Sequence, residues 1–395
     1  MTPPSRLAVL SLKLAQYRSY DLCAIETGGA SVALYGPNGA GKTNILEAVS
    51  MLAPGRGLRR AGAGEVIRRP GGTGWRVRAE VATPAGVIEI ATGVEGAETA
   101  RRSVEIDGKP ATQTALGSHV RMVWLTPAMD QLWLDAAGDR RRFLDRIALG
   151  FEPGHAEVSL TYEKAMRARN RLLKEPGWGP GSNGAWLAGL EAQMARAGAR
   201  IARTRSASLI RLTAAQNGGQ TGPKTLFPRA ELSILGDMES RFSRALCAGD
   251  DLDQLEVEEA ASLSRALASS RPRDAAAGRT LTGPHRSDLE AVYAAKEMPA
   301  AACSTGEQKA LLISLCLANA RALAETTGAA PILLLDEVAA HLDGARRRAL
   351  FAEIEALGAQ AWVTGTAAGL FEGLGGDAIR LGVSESGGLS AVAAH

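Results

Sequence analysis

The sequence predicts an α/β protein with a mixed, mainly parallel sheet, an antiparallel β-rich part and an inserted helical lobe. A glycine-rich loop at 36–43 stands between an apolar run and a helical stretch, which gives the order strand, loop, helix. Continuous apolar runs at 331–335 and 361–364 are typical of strands buried on both faces of a parallel sheet. Between these regions, leucine, alanine and arginine recur at helical spacing.

This change of pattern divides the chain into three predicted parts. Residues 1–135 contain short strands around one helix and form the N-terminal half of a nucleotide-binding domain. Residues 136–273 form the helical insert lobe, which glycine and proline clusters at 176–184 and 217–223 break into separate helices. Residues 274–395 return to the α/β pattern and form the C-terminal half of the domain.

Composition excludes several classes of protein. The 395 residues are 46% hydrophobic and 22% charged, as in an ordinary soluble globular protein. No uninterrupted apolar stretch of about 18 residues occurs, so no membrane span or membrane partner is expected. The net charge is only +3, so a polyanion-binding surface would have to be local. The four cysteines have neither metal-ligand nor disulfide-framework spacing and no signal-peptide pattern opens the chain, so a reduced, cytoplasmic protein is expected.

The most informative motif is a phosphate-binding loop that fills every fixed position of G-x-x-x-x-G-K-[ST]. Its residues are Gly36, Pro37, Asn38, Gly39, Ala40, Gly41, Lys42 and Thr43. Backbone N–H groups and the positive end of a helix dipole suit a triphosphate, and glycine lets the loop wrap closely. Lys42 is expected to reach the outer phosphates and Thr43 to ligate Mg²⁺. The motif therefore predicts binding of ATP or GTP.

Two adjacent acids follow the apolar strand at 331–335. Asp336 is expected to hold Mg²⁺ through its waters, and Glu337 to orient or deprotonate the attacking water. A strand end that meets solvent would also carry acids, but the phosphate loop favours the catalytic interpretation. Lys42 and Glu337 are therefore the predicted catalytic residues, and Thr43 and Asp336 the predicted metal ligands.

A third element lies at 303–309, where a helix is predicted to begin. Ser304 and Glu307 have the spacing of a helix capping box, so a purely structural role is one interpretation. A helix N-terminus that exposes the Ser304 hydroxyl and the Gly306 amide is also an anion cradle. One triphosphate needs only one such cradle from its own chain, so the second is expected to serve a nucleotide held by another subunit.

The order of these motifs resembles the ABC-type ATPase heads of SMC-like chromosome proteins. The phosphate loop is followed by S-T-G-E-Q-K at 304–309 and by L-L-L-D-E at 333–337. The resemblance implies the fold of an ABC-type P-loop ATPase head and a homodimer that sandwiches two ATP molecules. It also implies that Ser304 and Gly306 face the γ-phosphate held by the partner, and that Asp343 lies on a loop crossing the interface.

Within that class, stretches at 16–20, 140–145 and 283–288 resemble the RecF family of bacterial recombination and repair proteins. This resemblance implies ATP-dependent dimerisation, binding to single-stranded or gapped DNA, and slow DNA-stimulated hydrolysis that gates dimer dissociation. It further implies roles in recombinational gap repair, replication restart and the SOS response. Help in loading recombinase and contact with other recombination mediator proteins are implied as well.

Arginines are the predicted contacts for the DNA backbone. They cluster at 56–69 in a glycine-rich loop, and at 140–146 and 196–211 in the insert, where several share one helical face. A solvated helix face is the alternative interpretation of each cluster. The predicted DNA-binding residues are Arg140, Arg141, Arg142, Arg200 and Arg203.

Two other functions fit parts of the pattern. The nucleotide-binding motor subunit of an ABC transporter would carry the same loop and acids, but such domains are usually shorter, and the insert offers no apolar coupling surface. A nucleotide-gated scaffold without useful turnover would keep the loop. The intact pair of Asp336 and Glu337 is evidence against that scaffold.

Overall fold

The structure is a computed structural model that describes most of the chain. The described residues are 6–96, 101–175, 184–218 and 226–394. Contacts divide the chain into two compact units. Unit 1 comprises Met1–Asp130, Gly218–Pro228 and Lys309–His395, and unit 2 comprises Gln131–Asn217 and Arg229–Gln308. The glycine and proline clusters at 176–184 and 217–223 lie largely outside the described residues.

An antiparallel sheet of six strands forms one layer of unit 1, in the order β2-β1-β4-β5-β6-β7. Its strands are β1 (Ala8–Tyr17), β2 (Tyr20–Glu26), β4 (Trp75–Thr83), β5 (Gly86–Val94), β6 (Ser103–Ile106) and β7 (Lys109–Pro110). The turn between β6 and β7 has positive φ at both central residues, 49° at Asp107 and 71° at Gly108. A two-residue hairpin turn matched to strand twist requires such angles.

A second six-stranded sheet in unit 1 is mainly parallel, with the order β15-β14-β3-β13-β12-β8. Its strands are β3 (Val32–Tyr35), β8 (Met122–Leu125), β12 (Ile332–Leu335), β13 (Ala361–Gly365), β14 (Ile379–Ser386) and β15 (Leu389–Ala394). Only β15 runs antiparallel to its neighbour. The predicted mixed, mainly parallel sheet is confirmed.

The helices of unit 1 pack around these sheets. They are α1 (Lys42–Ser50), α2 (Leu116–His119), α10 (Gly344–Ala356) and the greater part of α9 (Thr305–Thr327). Ile45, Leu46 and Val49 of α1 are fully buried in the same core as both sheets. Burial of each such side chain contributes about 1.5–3 kcal/mol, so α1 and the loop before it are held firmly. Among the residues that the structure describes, no helix is both long and apolar enough to cross a membrane.

Unit 2 is mostly helical but also contains a three-stranded sheet. Its helices are α3 (Ala137–Phe151), α4 (His155–Leu172), α5 (Gly184–Gly218), α6 (Asp237–Ala248), α7 (Leu252–Ser269) and α8 (Arg271–Ala277). The sheet has the order β11-β10-β9, from β9 (Ala230–Leu235), β10 (Asp288–Tyr293) and β11 (Met298–Pro299). Within the described residues, short 3-10 helices also lie at Pro127–Gln131, Pro284–Arg286, Ala294–Lys296, Ala300–Ala302, Ala339–His341 and Ala368–Phe371.

The strand β9 was not expected inside a helical lobe. It pairs antiparallel with β10, more than fifty residues further along the chain. This pairing keeps β10 in unit 2, which therefore extends to Gln308 instead of ending near residue 273. A short strand whose partner is remote carries little local signal, because its stabilising contacts are not in its own sequence.

A buried ion network ties the helices of unit 2 together. Arg169 on α4 is fully buried and donates to Glu191 at 3.0 Å and to Asp274 at 2.8 Å. It also donates to the Thr280 hydroxyl and to the backbone carbonyl of Leu267. Because both carboxylates are also buried, each depends on a cation beside it to offset the loss of its hydration.

We expect Arg169→Met to destabilise unit 2 by about 3–5 kcal/mol, since it removes the cation beside the buried Asp274 and one of the two cations, with Arg271, beside the buried Glu191. The matched control is Arg167→Met on the same helix, where an exposed arginine pairs with Glu163 at 3.3 Å. That change should cost at most about 1 kcal/mol. Urea unfolding, followed by the circular dichroism signal of the helices, measures the stability of both variants. Equal unfolding midpoints for the two would contradict the stabilising role of the Arg169 network.

Candidate functional site

The phosphate-binding loop lies at the carboxyl end of β3, a central strand of the parallel sheet, and leads into α1 as predicted. Its glycines are required by close packing. A Cβ on Gly36, where φ is 151°, would lie 2.1 Å from the carbonyl oxygen of Val383. A Cβ on Gly41, where φ is 106°, would lie 2.4 Å from the Ser390 hydroxyl. The loop is therefore wedged against β14 and β15, and only glycine fits at these two positions.

Lys42 is folded back over the loop. Its Nζ donates to the carbonyl oxygens of Gly36 at 2.7 Å and Pro37 at 2.8 Å, and the residue is 4% exposed. Burial lowers the pKa of Lys42, and the nearby charges of Glu337 and Asp336 partly oppose that shift. An ammonium group so placed, beside the N-terminus of α1, provides concentrated positive potential for an anion.

Two side chains from different parts of the sequence converge on one carboxylate oxygen of Asp336. The hydroxyls of Thr43 and Thr364 both donate to Asp336 Oδ1, at 2.9 and 2.8 Å. Their positions follow from topology, since β3, β12 and β13 are parallel neighbours and their carboxyl ends meet at one edge. Burial raises the pKa of Asp336, and the two hydroxyl donors counteract the shift.

The oxygen atoms of Thr43 and Asp336 fit the requirements of Mg²⁺. This ion prefers hard oxygen ligands, and in nucleotide sites it takes one or two carboxylates together with phosphate oxygens. A hydroxyl 2.9 Å from a carboxylate oxygen can share such an ion after modest rearrangement. The two predicted metal ligands are thus brought together.

Glu337 is held by its backbone. Its φ is 56°, in the left-handed region that glutamate rarely occupies, and its N–H donates to the Thr364 hydroxyl at 2.8 Å. Such a conformation persists only where the surroundings enforce it, and it is frequent in active sites. Thr364 therefore contacts both acids. Its hydroxyl accepts from the backbone N–H of Glu337 and donates to the side chain of Asp336.

Sequence reasoning missed a second layer of support around the loop. Glu47 of α1 is fully buried and receives both a 2.8 Å and a 2.7 Å hydrogen bond from Arg18, in the turn between β1 and β2. Arg59 lies 3.7 Å from the same carboxylate and donates to Asn44 at 2.7 Å. The only signal in the sequence was the resemblance of 16–20 to a known family, which does not reveal what Arg18 contacts.

Residues of the same turn contact the phosphate loop directly. The Tyr20 hydroxyl donates to the carbonyl oxygen of Gly41 at 3.2 Å, and the Asn44 amide donates to the Ser19 hydroxyl at 2.8 Å. These bonds, together with the Glu47 ion pair, fix the first turn of α1 from the side of the antiparallel sheet.

The predicted second anion cradle is exposed at the start of α9, in unit 2. Ser304, Thr305 and Gly306 are exposed, and a Cβ on Gly306 would meet open space. The Glu307 carboxylate accepts from the Ser304 backbone N–H at 2.9 Å, which is one half of the predicted capping box, and from its hydroxyl at 2.8 Å. Lys296 pairs with Glu307, and this pairing, with the Ser304 bonds, lowers the pKa of Glu307 to about 2.

Asp343, predicted to lie on a loop between subunits, is the N-cap of α10. Its carboxylate accepts from the backbone N–H of Arg346 at 2.8 Å, and this bond lowers the pKa of Asp343. The side chain is 61% exposed; one oxygen caps the helix and the other lies 3.8 Å from Arg346 Nε.

Two of the predicted DNA-binding arginines are engaged inside unit 2. Arg140 donates to both carboxylate oxygens of Asp288, at 2.8 and 2.6 Å, and its side chain is 17% exposed. Arg141 donates to the carbonyl oxygen of Ser287 at 2.6 Å. Arg140 and Arg141 therefore hold α3 against the stretch 283–288, which leads into β10. Both arginines have a structural role.

The other three predicted arginines are more accessible but also paired. Arg200 lies 3.4 Å from Glu256, and Arg203 lies 2.8 Å from the same residue. Arg203 also pairs with Asp253, and Arg142 pairs with Asp139. Contact of these residues with DNA stays a prediction.

The same stretch positions a buried histidine. The Tyr162 hydroxyl lies 2.7 Å from His285 Nδ1, and His285 Nε2 lies 3.0 Å from the carbonyl oxygen of Thr280. Since a carbonyl only accepts, Nε2 carries the proton and Nδ1 accepts from the tyrosine. Burial lowers the pKa of His285, which favours the neutral ring.

Comparison with known proteins places this site in a family. The family model described as the RecF/RecN/SMC N terminal domain matches residues 8–385. The chain is 47% identical over 387 residues to the DNA replication and repair protein RecF of Caulobacter vibrioides, covering 96% of this chain and 97% of that protein.

Solved structures agree on the fold. The chain matches the recombination mediator protein RecF–ATP of the RecFOR pathway with a TM-score of 0.79 and 22% identity, over 99% of this chain and 98% of the other. It matches the Smc head domain of Pyrococcus furiosus with a TM-score of 0.54 and 18% identity, over 98% and 96% of the two chains. The fold is that of an ABC-type ATPase head, and the chain belongs to the RecF family of DNA replication and repair proteins.

Proposed function

We propose that this protein is an ATPase of DNA repair that dimerises when it binds ATP and holds DNA while it is dimeric. The observation that carries the proposal is the convergence of Thr43 and Thr364 on Asp336 beside the phosphate loop. This arrangement has the parts that phosphoryl transfer to water requires. It occurs in a chain whose family works in DNA replication and repair.

Each part of the site has a role in ATP hydrolysis. The backbone N–H groups of the loop and the Nζ of Lys42 bind the outer phosphates, after Lys42 exchanges its carbonyl partners for phosphate oxygens. A bound Mg²⁺, held by Thr43 and Asp336, would supply positive charge against the phosphates. Glu337 would accept a hydrogen bond from the attacking water and orient it. ATP fits the proposal better than GTP because the solved relative is described with ATP.

The dimer follows from the exposed start of α9. Ser304 and Gly306 lie at an open helix N-terminus, which is favourable for an anion. In the proposed dimer the Ser304 hydroxyl turns from Glu307 to the γ-phosphate held by the partner, and Asp343 lies at the same interface. ATP then stabilises the dimer as a shared ligand, and cleavage of its γ-phosphate removes the shared contact.

The cellular role is proposed from the family. We propose that the dimer binds single-stranded or gapped DNA in the cytoplasm, with slow, DNA-stimulated hydrolysis timing its release. Recombinational gap repair, replication restart and the SOS response are the proposed settings, together with recombinase loading and contact with other mediator proteins. The transporter alternative is not favoured, because the relatives that match almost the whole chain are DNA replication and repair proteins.

Lys42→Met should abolish ATP binding, since it removes the charge that faces the phosphates. Titration with a fluorescent ATP analogue measures this, with Lys13→Met as the matched control because Lys13 is exposed on β1. The control should bind as the unaltered protein does. Unchanged affinity in Lys42→Met, with an unchanged melting temperature, would exclude this phosphate site.

Glu337→Gln should slow ATP turnover by about 10²-fold or more while ATP binding persists, because the amide cannot take a proton from water. The variant should therefore accumulate as an ATP-bound dimer. Light scattering with and without ATP measures the mass. A monomer mass at saturating ATP would refute nucleotide-driven dimerisation.

Thr364→Val should lower the turnover rate by about tenfold or more with a smaller effect on the KM for ATP. It replaces the hydroxyl that contacts both acids with a methyl group of the same shape and leaves buried polar groups short of a partner. Thr364→Ser retains the hydroxyl and should recover most of the rate. Steady-state phosphate release compares the three proteins, and an equal loss in the serine and valine variants would show that packing, not the hydroxyl, matters.

A further inference from the structure

The segment between α1 and β4 is strongly basic. Residues 54–74 contain five arginines and one acid, Glu65, so the segment carries a charge of +4, against +3 for the whole protein. The arginines are Arg56, Arg59, Arg60, Arg68 and Arg69. The nucleotide chemistry described above uses none of them.

The backbone of this segment is anchored. Leu58 and Val66 are buried in the core of unit 1. Arg68 N donates to the carbonyl oxygen of Gln16 at 2.9 Å, and the Val66 carbonyl accepts from Arg18 N at 2.8 Å. Although the segment contains no regular helix or strand, it is a fixed surface.

Further bonds hold the first half of the segment. Leu58 N donates to the Ser50 hydroxyl at 2.9 Å, and Arg102 donates to the carbonyl oxygen of Gly55 at 2.6 Å. Trp75 Nε1 donates to the carbonyl oxygen of Ala63 at 2.7 Å. The cations therefore project from positions set by the fold, which lowers the entropy cost of binding a ligand.

Two arginines of the segment carry a charge that no acid among the described residues offsets. Arg56 and Arg69 are exposed, and neither has an ion pair or side-chain hydrogen bond within the part of the chain that the structure describes. Arg59, by contrast, is held by Asn44 and Glu47. The one acid, Glu65, is occupied by the backbone N–H of Gly62.

Several of the helical arginines are paired with acids in their own unit, although Arg171 and Arg196 are exposed and have no ion pair among the described residues. Arg140 is paired with Asp288, and Arg203 with both Asp253 and Glu256. A guanidinium that is paired with a carboxylate must break that pair before it binds a phosphate. Its net gain in binding free energy is therefore smaller than that of a guanidinium that is only hydrated. Arg56 and Arg69 of the 54–74 segment would bind a polyanion without first leaving an acid.

We propose that the 54–74 segment is a contact surface for the phosphate backbone of DNA, with Arg56 and Arg69 as its principal contacts. This inference rests on the proposed function, because it names the DNA-binding face of the proposed dimer. The guanidinium group suits phosphate oxygens in geometry and charge. The segment has no aromatic residue to stack on bases, so the contact is to the backbone and independent of sequence.

The test compares Arg56→Gln/Arg69→Gln with Arg200→Gln/Arg203→Gln, which removes the same number of charges from α5. Full-length protein with ATP is titrated onto gapped, single-stranded and duplex DNA across a salt series. The loop variant should bind about tenfold more weakly on every DNA, and its log–log salt slope should fall by about two. ATP binding by the loop variant should match that of the unaltered protein.

The outcomes separate the inference from the function on which it rests. If the unaltered protein binds no DNA in the presence of ATP, the proposed function fails. If it binds DNA and the loop variant binds equally well with the same salt slope, only the inference is overturned. A larger loss in the α5 variant than in the loop variant would also overturn it and assign the contact to the helical lobe.

Discussion

A single buried carboxylate organises the nucleotide site. Asp336 is 6% exposed, and its Oδ1 accepts from hydroxyls that precede and follow it by 293 and 28 residues in the chain. Burying this charge is unfavourable, so the parallel sheet must bring both donors to the same strand edge. Loss of the sheet register would leave the carboxylate without these two partners and would separate it from the end of the phosphate loop.

The phosphate loop is stabilised from two sides before any nucleotide binds. The strands β14 and β15 press against Gly36 and Gly41, where no larger residue fits. On the other side, the β1–β2 turn contacts the loop through Tyr20, and its Arg18 holds the buried Glu47 of α1. Because the loop is already ordered, binding of an anion costs little conformational free energy, which favours tight binding.

The arginines illustrate how a charge count differs from a charge distribution. The chain has 45 basic and 42 acidic residues, and in unit 2 many of them neutralise one another in pairs and networks. Arg205, which looked like part of a basic helix face, is 5% exposed and paired with Asp145. The cations left for a partner are those whose neighbours in space are not acids, and that neighbourhood is a tertiary property.

The local motifs could be predicted from the sequence by itself because their chemistry is contiguous. The phosphate loop, the acids after β12, the start of α9 and the mainly parallel sheet all follow from spacing and apolar pattern within short windows. Glu47 and β9 could not be assigned in this way, because each acts through a partner many residues away. Only the tertiary structure decided which hydroxyl contacts both acids and which arginines are already paired, since hydrogen bonds and ion pairs depend on distance in space and not on separation along the chain.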